Sequence, residues 1–349
     1  MRKYEFTGET LLWQGQTLRR IRRISDGALG GFIQHERNLS HDGTSWITLT
    51  SKVWEDAQVL HNAMVVGNVQ VRGNAIISVN ATLFDDVVVS GHAKISDFAS
   101  MSNFATANND AILRDSARMF ENAQIGNQAV VGGRAVLRNF SGVTGNAIVM
   151  DAIIQDNTLV TDNARVLGGM IIRMSSLIFG SALLTGSSTI IDSRVGQDAQ
   201  VHGNVTLTEC HISDSAKAFD SCTITNMEIF GNAEIFGSAT LTGLPGVPNC
   251  RIGDNVRIFD LARVTSVAGS NPCRGNAQIY EMAVIHPNGL VQDNARVFGN
   301  ASISGTVLEN AVVSGHGRVT AAGSVGWNTV VIGRTQVSTA LGDIPLLSR

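Results

Sequence analysis

The sequence predicts an all-β fold, a single-stranded parallel β-helix of hexapeptide repeats, and three observations support this. An apolar residue returns at every sixth position from Val53 to Val149 without interruption. A small residue, most often alanine, follows four positions after most of them. Gly-Asn pairs such as Gly67–Asn68 and Gly145–Asn146 stand where each repeat has to turn.

A period of six is incompatible with an α-helix, because 3.6 residues per turn would spread these apolar residues around the whole helix surface. A short strand followed by a turn instead returns each of them to the inside. Glycine and asparagine tolerate the positive φ that such corners need. The small residues fit where the chain is crowded at the bend, so each hexad predicts one strand and one corner.

The repeat continues, with one-residue deletions, to Val331; Val247 is counted among its apolar positions and residues 268–272 as an insertion. We count about 48 hexads, or about 16 triangular coils if three hexads close one turn. The predicted segments are an N-terminal cap at 1–50, the β-helix at 51–336 and a C-terminal tail at 337–349. A cap is expected because the end strands of a solenoid are unpaired.

The net charge of -3 and the pI of about 6.2 give no broad basic field, so we expect neither nucleic acid nor an anionic membrane as a partner. The one basic run, Arg19–Arg23, is interpreted as a solvated strand or helix face, with a phosphate contact as the alternative. The chain starts without an apolar signal core and has no stretch of about 18 apolar residues, which predicts a cytoplasmic protein. Its four cysteines form no Cys-x-x-Cys pair, so no metal site is expected.

The repeat Val-x-Gly-Asn-Ala-x resembles the hexapeptide of the LpxA-like left-handed β-helix superfamily over roughly residues 53–336. This resemblance implies left-handed coils. The lead-in Gly30–Ile47, followed by one very long prism, is similar to the YdcK-like acetyltransferase branch of that superfamily.

Near the C-terminus, Val325–Gly333 with Val337 and Asp343–Pro345 is similar to the closing motif of sugar and antibiotic acetyltransferases. In those enzymes the C-terminal coils line the acetyl-CoA groove. The resemblance therefore implies acetyl-CoA as acyl donor, with Gly333 allowing close backbone approach and Arg334 meeting a CoA phosphate.

Acetyl transfer needs a general base, which in this superfamily is usually a histidine. The resemblance points to His61, His286 and His316 as catalytic candidates. His61 lies in a hexad that resembles the one carrying the base in several acyltransferases. Its coil is far along the chain from the C-terminal coils, so only an antiparallel partner could bring His61 to the acetyl-CoA groove of those coils. His286 and His316 are nearer to those coils and match the hexad less well.

Hexad counting places aromatic residues on one outward face, which predicts a homo-oligomer joined along it. The residues that define this face are Phe84, Phe104, Phe120 and Phe140, and the count adds Phe259, Tyr280 and Phe298. The count also places a threonine ladder on this face, at Thr206–Thr208, Thr223–Thr225 and Thr240–Thr242, which resembles the ice-binding face of β-helical antifreeze proteins.

Two functions remain open from the sequence. The first is an acyl-CoA-dependent transferase acting on a small hydroxyl or amine acceptor, which the closing motif favours. The second is a non-catalytic scaffold or binding protein, favoured by the regular coils and the length of the chain.

Overall fold

The structure is a computed structural model that describes residues 2–48, 50–245, 250–267, 270–341 and 347–348. These residues make about 17 turns of a parallel β-solenoid with almost no helix, which confirms the predicted β-helix. The left-handed sense rests on the resemblance and stays a prediction. The chain divides into two compact units, Met1–Ser175 and Ser176–Arg349.

The first unit begins with a three-stranded antiparallel sheet, Tyr4–Trp13, Gln16–Arg23 and Leu29–Ile33, followed by a 3-10 helix at Glu36–Asn38. The third of these strands pairs in parallel with Lys52–Val53, so the antiparallel sheet protects an edge of the solenoid.

The basic run lies on the second strand of this sheet. Its arginines form ion pairs with acidic side chains of the sheet and its turn: Arg20 with Glu9, Arg22 with Glu5 and Arg23 with Asp26. The run therefore lies on a strand, on which Arg19 and Arg22 are exposed and Arg20 and Arg23 are partly buried.

Three parallel sheets form the walls of the first unit, and each turn of the chain adds one strand to each. Sheet 1 contains Lys52–Val53, Gln70–Val71, Val88–Val89, Thr106–Ala107, Gln124–Ile125, Gly142–Val143 and Leu159–Val160. Sheet 2 contains Gln58–Val59, Ile76–Ile77, Lys94–Ile95, Ile112–Leu113, Val130–Gly132, Ile148–Met150 and Arg165–Leu167. Sheet 3 contains Trp46–Ile47, Met64–Gly67, Thr82–Asp85, Ser100–Met101, Arg118–Met119, Val136–Leu137, Ile153–Ile154 and Ile171–Arg173.

The core of this unit is the one that the period predicts. Every apolar position of the uninterrupted series from Val53 to Val149 is buried, and so are the alanines that follow four residues later. Each strand therefore turns one apolar side chain inward and its neighbours outward.

The solenoid starts one turn before the predicted boundary at residue 51. Three fully buried residues of this extra turn pair with the first predicted hexads: Ile33 with Val53, Leu39 with Val59 and Ile47 with Val65. The successive positions Leu39 and Ile47 are eight residues apart where the repeat has a spacing of six, and this longer spacing hides the turn from a search for the period.

The second unit is built in the same way, and the strands of its three walls are numbered as sheets 4, 5 and 6. Sheet 4 contains Leu177–Ile178, Arg194–Val195, His211–Ile212, Glu228–Ile229, Arg251–Ile252, Leu290–Val291, Thr306–Val307, Ser324–Val325 and Ala340–Leu341, with Cys273 bridging Ile252 and Val291. Sheet 5 contains Leu183–Gly186, Gln200–Gly203, Lys217–Ala218, Glu234–Ile235, Arg257–Ile258, Gln278–Ile279, Arg296–Val297, Val312–Val313, Val330–Ile332 and Leu347–Ser348. Sheet 6 contains Thr189–Ile191, Thr206–Thr208, Thr223–Thr225, Thr240–Thr242, Arg263–Thr265, Val284–Ile285, Ser302–Ile303, Arg318–Val319 and Gln336–Val337.

Strand pairing also continues past the predicted end of the β-helix at residue 336. Val337 pairs with Val319, and the strands Ala340–Leu341 and Leu347–Ser348 each add to a sheet. The segment predicted as a tail therefore contributes strands to the last turns.

The prediction that one face carries both the later aromatics and the threonine ladder is wrong. The rings of Phe259, Tyr280 and Phe298 follow strands of sheet 5, whereas the threonines lie on sheet 6. The error in the hexad count arises at Val247, which lies outside the described residues. Ile252 pairs directly with Ile229 and therefore takes the sheet position that the count had assigned to Val247.

Five aromatic rings stack in a column along sheet 5. Neighbouring ring centroids are 4.6–4.9 Å apart and the planes are within 8° of parallel in the series Phe219, Phe236, Phe259, Tyr280 and Phe298. Each ring occupies the outward position after a core residue in successive turns, so the strand spacing sets the stacking distance.

At the Gly-Asn corners the glycine takes the positive φ and the asparagine does not, whereas asparagine itself takes a positive φ at other corners, such as Asn103 and Asn127. Gly231 and Gly275 have φ of 66° and 74°. The asparagine side chains instead form an amide ladder from turn to turn, with Nδ2 to Oδ1 distances of 2.8–3.2 Å, through Asn232, Asn255, Asn276, Asn294, Asn310 and Asn328.

A second ladder runs beside the amides and was not predicted. The side chain of a corner residue with positive φ accepts a hydrogen bond from the backbone N–H of the corner residue one turn further on. Asp254 accepts from Gly275 at 2.8 Å in this way, and Asp293 accepts from Glu309 at 3.0 Å. Acidic corner residues therefore replace glycine because they satisfy a backbone donor that the turn leaves open.

Candidate functional site

The corner that joins sheet 5 to sheet 6 carries three successive glycines near the end of the second unit. Gly299, Gly315 and Gly333 occupy equivalent positions in consecutive turns, with φ of 71°, 65° and 69°. A Cβ on Gly299 would lie 2.7 Å from the nitrogen of Gly315, and one on Gly315 would lie 3.0 Å from the nitrogen of Gly333. Only glycine allows these turns to stack so closely. We call residues 299–300, 315–316 and 333–334 the glycine corner.

The glycine corner leaves backbone amides without acceptors. At several other corners an acidic residue accepts the N–H of the next turn, as Asp254 does from Gly275, but Gly299 and Gly315, like Gly73 and Gly91 in the first unit, have no side chain to do so. Among the described residues, neither the Gly315 N–H nor the Gly333 N–H donates a hydrogen bond to the protein. Two such donors aligned along one edge can hold a carbonyl oxygen or a developing oxyanion.

Two of the predicted site residues meet at this corner. Because Val313 pairs with Val331, His316 and Arg334 stand three residues after paired strand positions, one turn apart. The His316 N–H donates to the Gly333 carbonyl at 2.6 Å. Both side chains are exposed, so an imidazole and a guanidinium flank the free amides on the protein surface.

An apolar depression adjoins the glycine corner in the preceding turns. Its volume is about 330 Å³, and its lining residues are Asp260, Leu261, Glu281, Met282, Gly299 and Asn300. Leu261 and Met282 are 56% and 55% exposed, which is high for side chains of this size. The depression shares Gly299 and Asn300 with the glycine corner, so the two form one continuous surface.

His61 uses its ring for a structural contact in the first unit. It has a corner φ of 57°, and its Nδ1 accepts the Val79 N–H at 3.4 Å. The carboxylate of Glu55 accepts the Gly73 N–H in the same way at another corner. The side chain of His61 thus takes the place that acidic residues have in the corner ladder.

His286 does not join the glycine corner. It follows the strand Val284–Ile285 on sheet 6, and its Nε2 lies 2.9 Å from the Ser302 hydroxyl. His316 instead precedes a strand of the same sheet, Arg318–Val319, which lies two turns further on. The two histidines are therefore at opposite ends of the sheet 6 strands.

The closing motif has structural uses as well. Asn328 is the last residue of the amide ladder. Trp327 is exposed at a corner with φ of 57°, and its backbone N–H donates a hydrogen bond to the Glu309 carboxylate. Asp343–Pro345 lies outside the described residues. The motif therefore closes the solenoid with the same devices as earlier turns.

Sequence reasoning missed the glycine corner, although a signal exists. Gly299, Gly315 and Gly333 recur at intervals of 16 and 18 residues, which are the lengths of these turns. Each glycine also occupies a position where other turns have an acid or an amide. The combination marks where the acidic ladder stops.

Neither known protein families nor curated proteins match the chain. The structure shows a β-helix repeat protein. Within the described ranges, no group of three or more His, Cys, Asp or Glu side chains could hold a metal ion. No helix in the same ranges has the length and apolar character needed to span a bilayer.

Proposed function

We propose that the chain is an acetyltransferase of the YdcK-like hexapeptide branch, using acetyl-CoA to acetylate a small hydroxyl or amine acceptor at the glycine corner. The observation that carries the proposal is the pair of free amides, Gly315 N–H and Gly333 N–H, beside the exposed imidazole of His316. A cytoplasmic location is part of this proposal, because acyl transfer from CoA requires a supply of the thioester.

Acetyl-CoA is held by its phosphate and by its amide and thioester groups. Arg334 is exposed and always charged, and its guanidinium fork matches a phosphate. Gly333 has no side chain, so the donor approaches the backbone closely enough to accept hydrogen bonds from it. The proposal thus uses Gly333 and Arg334 in the roles that the resemblance implies.

His316 is the general base. Its imidazole takes the proton from the acceptor hydroxyl or amine as the acceptor oxygen or nitrogen attacks the thioester carbonyl carbon. The carbonyl oxygen becomes an oxyanion, which the Gly315 and Gly333 amides stabilise. The C–S bond then breaks, the imidazolium returns the proton to the leaving thiolate, and free CoA and the acetylated acceptor remain.

The apolar depression beside Gly299 receives the acceptor. Leu261 and Met282 supply apolar contact from three and two turns before Gly315, and the surface that joins them to the base runs through Gly299 and Asn300. A second candidate function, a non-catalytic scaffold, is favoured by one observation: His61 and His286 are both engaged in contacts within the protein.

Calorimetric titration of the purified chain with acetyl-CoA tests the proposal. Loss of the Arg334 charge should weaken binding by about 10-fold in Arg334→Ala, the value of one charge-assisted contact. Arg274→Ala is the matched control, because Arg274 is an exposed arginine that follows the Cys273 bridge of sheet 4 and should leave binding unchanged.

Catalysis is tested separately by following release of the CoA thiol with a panel of amines and alcohols. His316→Gln should retain binding and lose at least about 100-fold in turnover, the contribution of a general base. His211→Gln, a histidine on sheet 4, is the control. Absence of acetyl-CoA binding at millimolar concentration would instead support the scaffold function.

A further inference from the structure

An aromatic stripe crosses four consecutive turns on the sheet 3 side of the first unit. In each of these turns, the positions one and three residues after the core residue of the sheet 3 strand point outward. Stacked from turn to turn, these positions form two columns. The first column reads Phe84, Ser102, Phe120 and Arg138, and the second reads Asp86, Phe104, Asn122 and Phe140. The ring thus alternates between columns from one turn to the next, and each ring has a small or polar residue beside it.

These rings are unusually exposed for phenylalanine. Phe104 and Phe140 are 61% and 67% accessible and Phe84 is 40% accessible, while Phe120 is half-buried. An apolar stripe of this kind on a β-solenoid marks an interface more often than a chance scatter of rings.

A cavity lies next to the stripe where a ring from outside could insert. Its volume is about 400 Å³, and it is lined by Glu121, Asn122, Asn139, Phe140, Asp156 and Asn157. Phe104 is the most exposed ring in the inner two turns of the stripe. The stripe therefore carries both a protruding ring and a recess beside Asn122.

We propose that this stripe joins two copies of the chain in an antiparallel dimer related by a two-fold axis. The axis passes between the second and third turns of the stripe and runs perpendicular to the coil axis. It maps each column onto itself in reverse order, so that Phe104 faces Asn122 of the other copy and Phe120 faces Ser102. Each inner ring then meets a small or polar residue and no two rings collide head-on.

Charge selects the antiparallel arrangement over the parallel one. The exposed Asp86 lies in the first turn of the stripe and the exposed Arg138 in the fourth. An antiparallel pair places Arg138 of one copy against Phe84 and near Asp86 of the other, which gives a cation–π contact and an ion pair at both ends. A parallel pair would bring Asp86 near Asp86 and Arg138 near Arg138, and like charges would repel.

The mass of the purified full chain at several concentrations is the first measurement, by sedimentation equilibrium. We expect twice the chain mass of 37.0 kDa at about 0.1 mM, with dissociation on dilution, because four turns form a small interface. Phe104→Ser should raise the dissociation constant at least about 30-fold, since the symmetric dimer loses two buried rings. Phe98→Ser is the matched control, because Phe98 is 68% exposed outside the stripe and should leave the constant unchanged.

Orientation is tested by charge reversal. Asp86→Arg and Arg138→Asp should each weaken self-association, whereas an equimolar mixture of the two variants should form a heterodimer, because each end then carries one Arg and one Asp. A monomer at every concentration, a trimer, or a mixture that stays monomeric while both variants fold would overturn the antiparallel dimer. Far-ultraviolet circular dichroism of each variant establishes that it folds.

Discussion

The aromatic column on sheet 5 makes a quantitative prediction about stability. Phe236 stacks on Phe219 at 4.6 Å and on Phe259 at 4.7 Å, with interplanar angles of 4° and 1°. Phe236→Leu keeps most of the apolar area and removes both stacks. At about 0.5–1.5 kcal/mol per ring pair, the loss should be about 1–3 kcal/mol.

The end of the same column supplies the control. Among the described residues Phe219 has one stacked neighbour, so Phe219→Leu should lose about half as much, or about 0.5–1.5 kcal/mol. Both values follow from equilibrium unfolding in guanidinium chloride, monitored by circular dichroism, provided that the denaturant dependence is the same for all variants. Equal losses for the interior and end rings would refute stacking as the source of the stability.

Three further predictions concern the core and the titratable groups. Leu113→Ala should lower the free energy of unfolding by about 3–5 kcal/mol, since Leu113 is fully buried, and a loss below about 1 kcal/mol in a urea titration would contradict the packed core. Burial raises the pKa of Cys210 to about 11 and that of Cys222 to about 12, so iodoacetamide at pH 8 should label neither thiol before unfolding, and rapid labelling of the native protein would count against their burial. Burial, with a smaller effect of a nearby arginine, lowers the pKa of Lys3 from 10.5 to about 8. Between these two pKa values the unfolded state binds more protons than the folded state, so the stability of the protein should rise with pH. Melting temperatures measured across this pH range should rise less steeply in Lys3→Met. The same dependence of melting temperature on pH in both proteins would disprove the contribution of Lys3.

The sequence alone determined the β-helix and most of its core. An inward residue at every sixth position is a local property, because each strand and corner fits within one hexad, and the buried series from Val53 to Val149 follows directly. The same locality explains the errors. The extra turn at Ile33–Ile47 and the false position at Val247 both occur where the spacing between core residues departs from six. A hexad count detects only core residues that keep this spacing.

Only the tertiary structure decided which residues become neighbours across turns. Side chains 16 to 23 residues apart in the chain meet because turns differ in length, so the register depends on every deletion and insertion between them. The structure therefore brought His316 to Gly333 and Arg334, gave His61 a corner contact and separated His286 from both. It also showed that successive glycines interrupt the acidic ladder and leave backbone amides free, a property of stacked turns that no single hexad contains.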